Sequence, residues 1–192
     1  MAILVFGIGI NDKKYPAWVN GKVTKEYGLW IRMLGRCYDL KSHAQRTTYV
    51  GCSVSENFRH YSYFYAWANR QIGFAIDGYH LDKDILVCGN KTYSENTCVF
   101  VPQEINNFFT EAKVIRGEYP VGVYFHKHTG RFKAQCSVNG KVQHLGLFST
   151  PEEAFSAYKT FKENLCKETA NKWKHQLDVR VYNAMMDWSV QT

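Results

Sequence analysis

Residues 121–148, VGVYFHKHTGRFKAQCSVNGKVQHLGLF, decide how the carboxyl-terminal part of this chain folds. Val121, Val123 and Phe125 alternate with polar neighbours, as do Phe132, Ala134, Cys136 and Val138, which is the period-two pattern of strands with one buried face. His128-Thr129-Gly130 and Asn139-Gly140 read as the turns, Asn-Gly being the strongest short hairpin signal, and Val142 to Phe148 supplies a third strand. Ser149-Thr150-Pro151-Glu152-Glu153 then offers a hydroxyl N-cap, a proline in the first turn and acids at the positive helix end. A helix to about Trp173 follows, and its Ala154, Phe155, Tyr158, Phe161, Leu165 stripe should cover the sheet. A three-stranded antiparallel sheet packed on one helix is therefore expected over 120–173.

The outer face of that sheet is basic. Arg131, Lys133, Gln135 and Ser137 share one side of the second strand, and 120–149 holds Lys127, Arg131, Lys133 and Lys141 with no acidic residue, together with His126, His128 and His144. A β-ribbon fits the DNA major groove, where arginine pairs with guanine edges and glutamine with adenine edges, so duplex DNA is the expected partner of this face. The chain as a whole agrees in sign, with 24 Lys and Arg against 17 Asp and Glu, a net charge of +7. The excess is uneven, since 1–112 has 12 basic and 10 acidic residues whereas 113–192 has 12 and 7.

Upstream, Trp30, Met33, Leu34 and Cys37 stand at i, i+3, i+4 and i+7, so 27–38 reads as a helix, and Lys25, Arg32 and Arg36 fall off that apolar face and stay in water. Tyr49 to Val54 reads as a short strand, and Ser55 caps a second, aromatic helix running to Asn69. Pro102 opens a third helix over 103–109. The polar segment 113–119 reads as a linker, and the tail 174–192 carries a Leu177, Val181, Met185, Trp188 stripe that suits a short helix. The expected fold class is thus α+β in two parts, 1–112 and 120–173.

With 192 residues, 45% of them hydrophobic and 16% aromatic, the chain can build cores and is neither a disordered tail nor a large multi-domain enzyme. The six cysteines are scattered without a C-x-x-C pair and read as reduced; a zinc site from Cys37, Cys52 and Cys98 lacks the usual ligand spacing. No stretch is apolar enough to span a membrane and no leader is legible, so the expected location is the cytoplasm, with no membrane partner.

Two blocks, GVYFHKHTGRFKAQC (122–136) and HLGLFSTPEEAFSAY (144–158), resemble the Apetala-two/ethylene-response-factor DNA-binding domain. The resemblance implies DNA contacts from Tyr124, His126, Arg131, Lys133, Gln135, Ser137 and His144. Tyr124, Ser137 and His144 stand where the plant pattern has arginines and a tryptophan, so base specificity does not carry over. The upstream pieces WIRMLGRCY (30–38), YVGCSV (49–54) and LDKDILVCGNKTYSENTCVFVP (81–102) look like bacteriophage HNH-type, homing-like endonucleases that carry an Apetala-two domain behind them. That likeness implies a ββα-metal hairpin with flanking helices in 1–112.

Carried across residue by residue, Asp82 matches the first metal ligand, Asn96 the loop asparagine, Asn106 the ligand on the helix, and Lys83 stands at the general-base histidine. Phosphodiester cleavage needs an ion to neutralise developing charge and a base to make the nucleophile, and oxygen ligands suit Mg²⁺. Lysine at its ordinary pKa is protonated and cannot be that base, whereas His80, on the same strand parity as Asp82, can substitute. The expected function is DNA binding with metal-dependent nicking. The alternative is a catalytically inactive, HNH-derived phage protein in the host cell that acts by binding, for example to a host nucleic-acid-handling defence complex.

Overall fold

The computed structural model describes residues 4–109, 118–138 and 140–190; most of the expected linker (113–117) and Asn139 of the second turn lie outside them. The chain is α+β, and it forms two compact units. The first comprises Met1–Asn107 and Gln176–Val181, the second Phe108–His175 and Tyr182–Thr192.

In the first unit, β1 (Leu4–Val5) pairs with β2 (Gly9–Ile10) and β3 (Trp18–Val19) with β4 (Lys22–Val23), both antiparallel. Helix α1 (Lys25–Tyr38) begins two residues before the apolar spacing alone indicates, because the Thr24 hydroxyl accepts the Tyr27 N–H as N-cap. Its expected stripe is buried: Trp30, Met33, Leu34 and Cys37 are each 4% exposed or less. After α2 (Leu40–Gln45) comes a 3₁₀ turn (Thr47–Tyr49), and only Ser53–Val54 is strand (β5). The strand expected from Tyr49 is shortened because Gly51 takes φ +78° and turns the chain.

The single helix expected over 55–69 is two, α3 (Glu56–Arg59) and α4 (Tyr61–Ala68). Ser55 caps α3 as expected, but His60 is extended (φ −89°, ψ 120°) and its backbone bridges to Ile10. Phe58, Tyr61 and Phe64 are all fully buried. They surround Trp30, whose indole N–H donates to the Phe58 carbonyl at 2.8 Å. Three further strands follow: β6 (Tyr79–Asp82), β7 (Thr92–Tyr93), which pairs parallel with β5, and β8 (Val99–Pro102), which pairs antiparallel with β6. Helix α5 (Gln103–Phe109) starts directly after Pro102, as expected.

The second unit is an antiparallel sheet of β9 (Val123–His126), β10 (Arg131–Val138) and β11 (Lys141–Phe148), with β10 central. Helix α6 (Pro151–Trp173) packs on it through Ala154 and Tyr158, against Val123, Ala134 and Cys136. Gly122, at φ +78°, lies so close to Tyr158 that a Cβ would stand 2.1 Å from its ring, so helix and sheet approach only because that side chain is missing. Thr150 and Glu153 form a capping box at the start of α6. Thr150→Ala should cost about 1 kcal/mol, a fall in Tm of about 2–4 °C by calorimetry.

The chain ends in α7 (Val179–Met186) and a tail. The domain limits drawn from sequence are corrected here, since the tail divides: Gln176–Val181 belongs to the first unit and Tyr182 onward to the second. Within the second unit, the Lys159 ammonium donates to Ser189 Oγ (2.7 Å) and the Val190 carbonyl (2.8 Å), while Glu163 accepts from Ser189 Oγ (2.8 Å) and the Val190 N–H (3.1 Å). Lys159 and Glu163 stand at i and i+4 on α6 and clip the tail to it. Phe108 and Phe109, at the end of α5, stack edge-on against Trp188 in the same unit. The tail stripe is therefore core: Leu177, Val181 and Met185 are all buried.

Candidate functional site

In the first unit, β6, β8 and α5 are consecutive in space, and the Gln103 N–H donates to the Gly78 carbonyl to close the hairpin where the helix starts. The long loop between the strands is braced by Asn90. Its Nδ2 donates to the Lys83 and Thr92 carbonyls (2.7 Å each), and its Oδ1 accepts the Thr92 N–H (3.0 Å). Asn90 therefore braces this loop, whereas the resemblance points to Asn96 as the loop asparagine. Asn96 is exposed in the following turn, where Ser94 does the capping, and its carbonyl accepts from Arg180 at 3.4 Å. Gly89 before Asn90 was the available signal, a Gly-Asn pair between strands.

Lys83, which stands at the position of the general base in the resemblance, is buried. Its side chain turns inward and is 6% exposed; its ammonium donates to Asp84 Oδ1 and the Asn90 carbonyl at 2.6 Å each and lies 5.6 Å from the centre of the Tyr93 ring. Both of these bonds tie the side chain into the loop that follows β6.

His80, Asp82 and Asn106 all line one cleft of about 390 Å³. His80 is exposed and Asn106 half-buried. Asp82 Oδ1 accepts the N–H groups of Asp84 and Ile85, both at 2.8 Å, so the carboxylate also caps the turn that leaves β6. Burial pushes the Asp82 carboxyl above the usual carboxylate range, against the opposing pull of those two N–H groups. The same cleft is lined from α1 by Lys25, Arg32 and Arg36, which the sequence reading had left in water. Arg36 is half-buried beside Tyr93 and Tyr49, and although burial disfavours its charge, those two phenols hold the guanidinium above its ordinary pKa.

Metal ligation has few donors to draw on. Among the described residues no group of three or more His, Cys, Asp or Glu is placed to hold an ion. Cys37, Cys52 and Cys98 are free and buried, and burial pushes the Cys37 and Cys98 thiols up to about 12, far from the thiolate that zinc requires. The oxygen donors on the cleft wall, Asp82 and Asn106 beside an Asp84 already paired with Lys83, suit only a hard cation that keeps water and shares it with a phosphate.

The second unit presents the other surface. The register places Tyr124 opposite Lys133, His126 opposite Arg131 and Gln135 opposite His144, and Ser137 follows by strand parity, so all seven residues expected to meet DNA lie on one face. A β-bulge makes this possible. Between the Ala134–Gly146 and Gln135–His144 pairs β11 has the extra residue Leu145, which packs toward the helix side while His144 keeps the outer face. Tyr124, Arg131, Ser137 and His144 are exposed, and His126, Lys133 and Gln135 are half-buried. Among the described residues the side chains of Arg131, Lys133, Gln135 and Ser137 make no hydrogen bond or ion pair. Phe125, expected to point inward, is 45% exposed at the edge of β9 although it still meets the Phe132 ring.

These features define a mixed helix-and-sheet protein with a polar cleft in one unit and an unpaired basic sheet face in the other. Compared with protein-family models, curated proteins and solved structures, the chain matches none of them. Among the described residues no helix is long and apolar enough to cross a membrane.

Proposed function

We propose that this protein binds duplex DNA through the outer face of β9–β11, in the manner of an Apetala-two domain, and that β6, β8 and α5 form an HNH-like hairpin that acts on DNA. The observation that carries the reading is the sheet face: seven residues able to contact phosphate or base edges, two of them cations with no partner among the described residues, and no acid between 120 and 149. Such a surface attracts a polyanion and leaves its side chains available to read it. Binding to a 20-base-pair duplex at several salt concentrations tests it, and an affinity independent of salt would refute it.

For the hairpin cleft the reading is metal-assisted nicking. Asp82 and Asn106 would hold Mg²⁺, which supplies charge neutralisation at the scissile phosphate. The imidazole of His80 is the group on the cleft wall that takes the proton from the attacking water. Plasmid incubated with Mg²⁺ or Mn²⁺ should be nicked, and Asp82→Ala should abolish the nicking.

Asp82 also separates function from stability. Its folded pKa is raised, so its ionised form is favoured less in the fold than in the unfolded chain, and the fold loses stability as pH rises from the ordinary carboxylate pKa through the folded value. Asn keeps the two N–H bonds without the charge. Asp82→Asn is expected to match the wild type in acid below that window, to be more stable at neutral pH by chemical denaturation, and to lose nicking.

The inward, ion-paired Lys83 favours a second reading, a binder without catalysis that acts on a host nucleic-acid-handling complex. Tight DNA binding with no nicking over a range of DNAs and metals, and capture of the same host complex by wild type and Asp82→Ala, would select it.

A further inference from the structure

Helix α1 carries a row of cations that the DNA-binding surface of the second unit does not use. Lys25, Arg32 and Arg36 stand at i, i+7 and i+11, within about 40° of one another around the helix, along a line roughly 16 Å long. All three line the cleft that holds His80, Asp82 and Asn106. Their surroundings differ. The Lys25 ammonium donates to the Phe74 carbonyl and sits 5.1 Å from the centre of the Phe74 ring. Arg36 is half-buried and lies 5.4 Å from the centre of the Tyr49 ring. Arg32 is exposed, and among the described residues it makes no hydrogen bond or ion pair. Its guanidinium lies along the helix over Gly28, where a Cβ would stand 3.2 Å from Nη1.

The carboxylates of the cleft do not cancel this row. Asp84 is paired with Lys83, and one oxygen of Asp82 is taken up by backbone N–H groups. What remains is a polar cleft, at the lower end of the size range of small-molecule sites, whose wall carries the two partnered cations and one unpartnered guanidinium of α1 together with the candidate reacting groups. A guanidinium fork matches the two non-bridging oxygens of a phosphate. A row this long exceeds what a single phosphate needs, which selects a polymer over a free nucleotide.

We infer that the cleft seats a phosphodiester of a DNA strand, with Arg32 as its bidentate ligand and Arg36 and Lys25 as fixed neighbours that carry the strand along α1. This rests on the DNA-binding reading above and adds to it the residues of α1 that position the strand in the hairpin cleft. Arg32 is a positioning residue for the strand.

The test uses the full chain and three probes: a 20-base-pair duplex, thymidylyl-thymidine, which has one phosphodiester between two nucleosides, and the free nucleotide thymidine 5′-monophosphate. Arg32→Gln should weaken duplex binding about tenfold and flatten the log–log salt slope by about 0.9, the loss of one phosphate contact. It should also weaken the dinucleotide about fivefold or more. Arg32→Lys should restore the slope but only part of the affinity, because the charge returns without the fork. Lys41→Gln, an equal loss of charge at another exposed position, should change neither. An Arg32→Gln chain that binds the duplex and the dinucleotide like wild type overturns the inference while leaving the DNA reading intact. A loss confined to thymidine 5′-monophosphate, with duplex binding untouched, overturns it in favour of a free nucleotide. Absence of duplex binding by the wild type removes the DNA reading itself.

Discussion

Arg131→Gln combined with Lys133→Gln should lower duplex affinity about 100-fold near 0.15 M salt and flatten the log–log salt slope by about 1.8, two phosphate contacts at about 0.9 each. The two side chains stand two residues apart on β10, on the same face and roughly 7 Å from each other, so both can meet one strand of a duplex. Neither is paired within the described residues, so glutamine leaves no partner stranded. Thermal unfolding should therefore stay within the small range of ordinary surface changes, about 0.5 kcal/mol either way. An unchanged slope with a lowered Tm would mean that the pair supports the sheet and does not meet DNA. The measurement is a fluorescence-anisotropy titration at four or more salt concentrations, with a calorimetric scan of each variant.

Trp30→Ala is the change expected to cost most in stability, about 4–5 kcal/mol. The indole is fully buried, its ring centre lies 5.4 Å from that of Tyr61 and 5.7 Å from that of Tyr27, and its N–H satisfies the Phe58 carbonyl. Truncation opens a cavity in the largest cluster of the first unit and leaves a buried acceptor without its donor. Since domains hold only about 5–15 kcal/mol in total, the variant should unfold at far lower denaturant than the wild type. Trp30→Phe separates the two contributions. It refills most of the volume and should cost about 1–3 kcal/mol, mainly the orphaned carbonyl. Equal losses for Ala and Phe would show that the hydrogen bond outweighs the packing.

Elements whose side chains repeat with the backbone period were legible before any coordinates. Alternation in 121–138 marked two strands because a pleated backbone sends successive side chains to opposite faces, and the same parity assigned Arg131, Lys133, Gln135 and Ser137 to one side. Thr150, Pro151 and Glu153 marked the start of α6 because the unpaired N–H groups of a first turn need an acceptor that lies in the adjacent residues. The caps at Ser55 and the helix after Pro102 follow the same local rule.

What escaped that reading was set by partners distant along the chain. His60 breaks an otherwise helical run because Ile10, fifty residues earlier, pairs with its backbone. Asn90 and not Asn96 braces the hairpin loop because Lys83 and Thr92 present their carbonyls there, and Lys83 turns inward because Asp84 and Tyr93 receive it. Lys25, Arg32 and Arg36 looked like the wet side of an amphipathic helix, and only the apposition of α1 with β6 and α5 makes them a cleft wall. His144 faces outward with Gln135 because a bulge at Leu145 shifts the register of β11. Short-range hydrogen bonding and side-chain period are properties of neighbouring residues and can be read in order; which groups are buried, paired or aimed into a shared cavity depends on contacts between segments that order alone does not bring together.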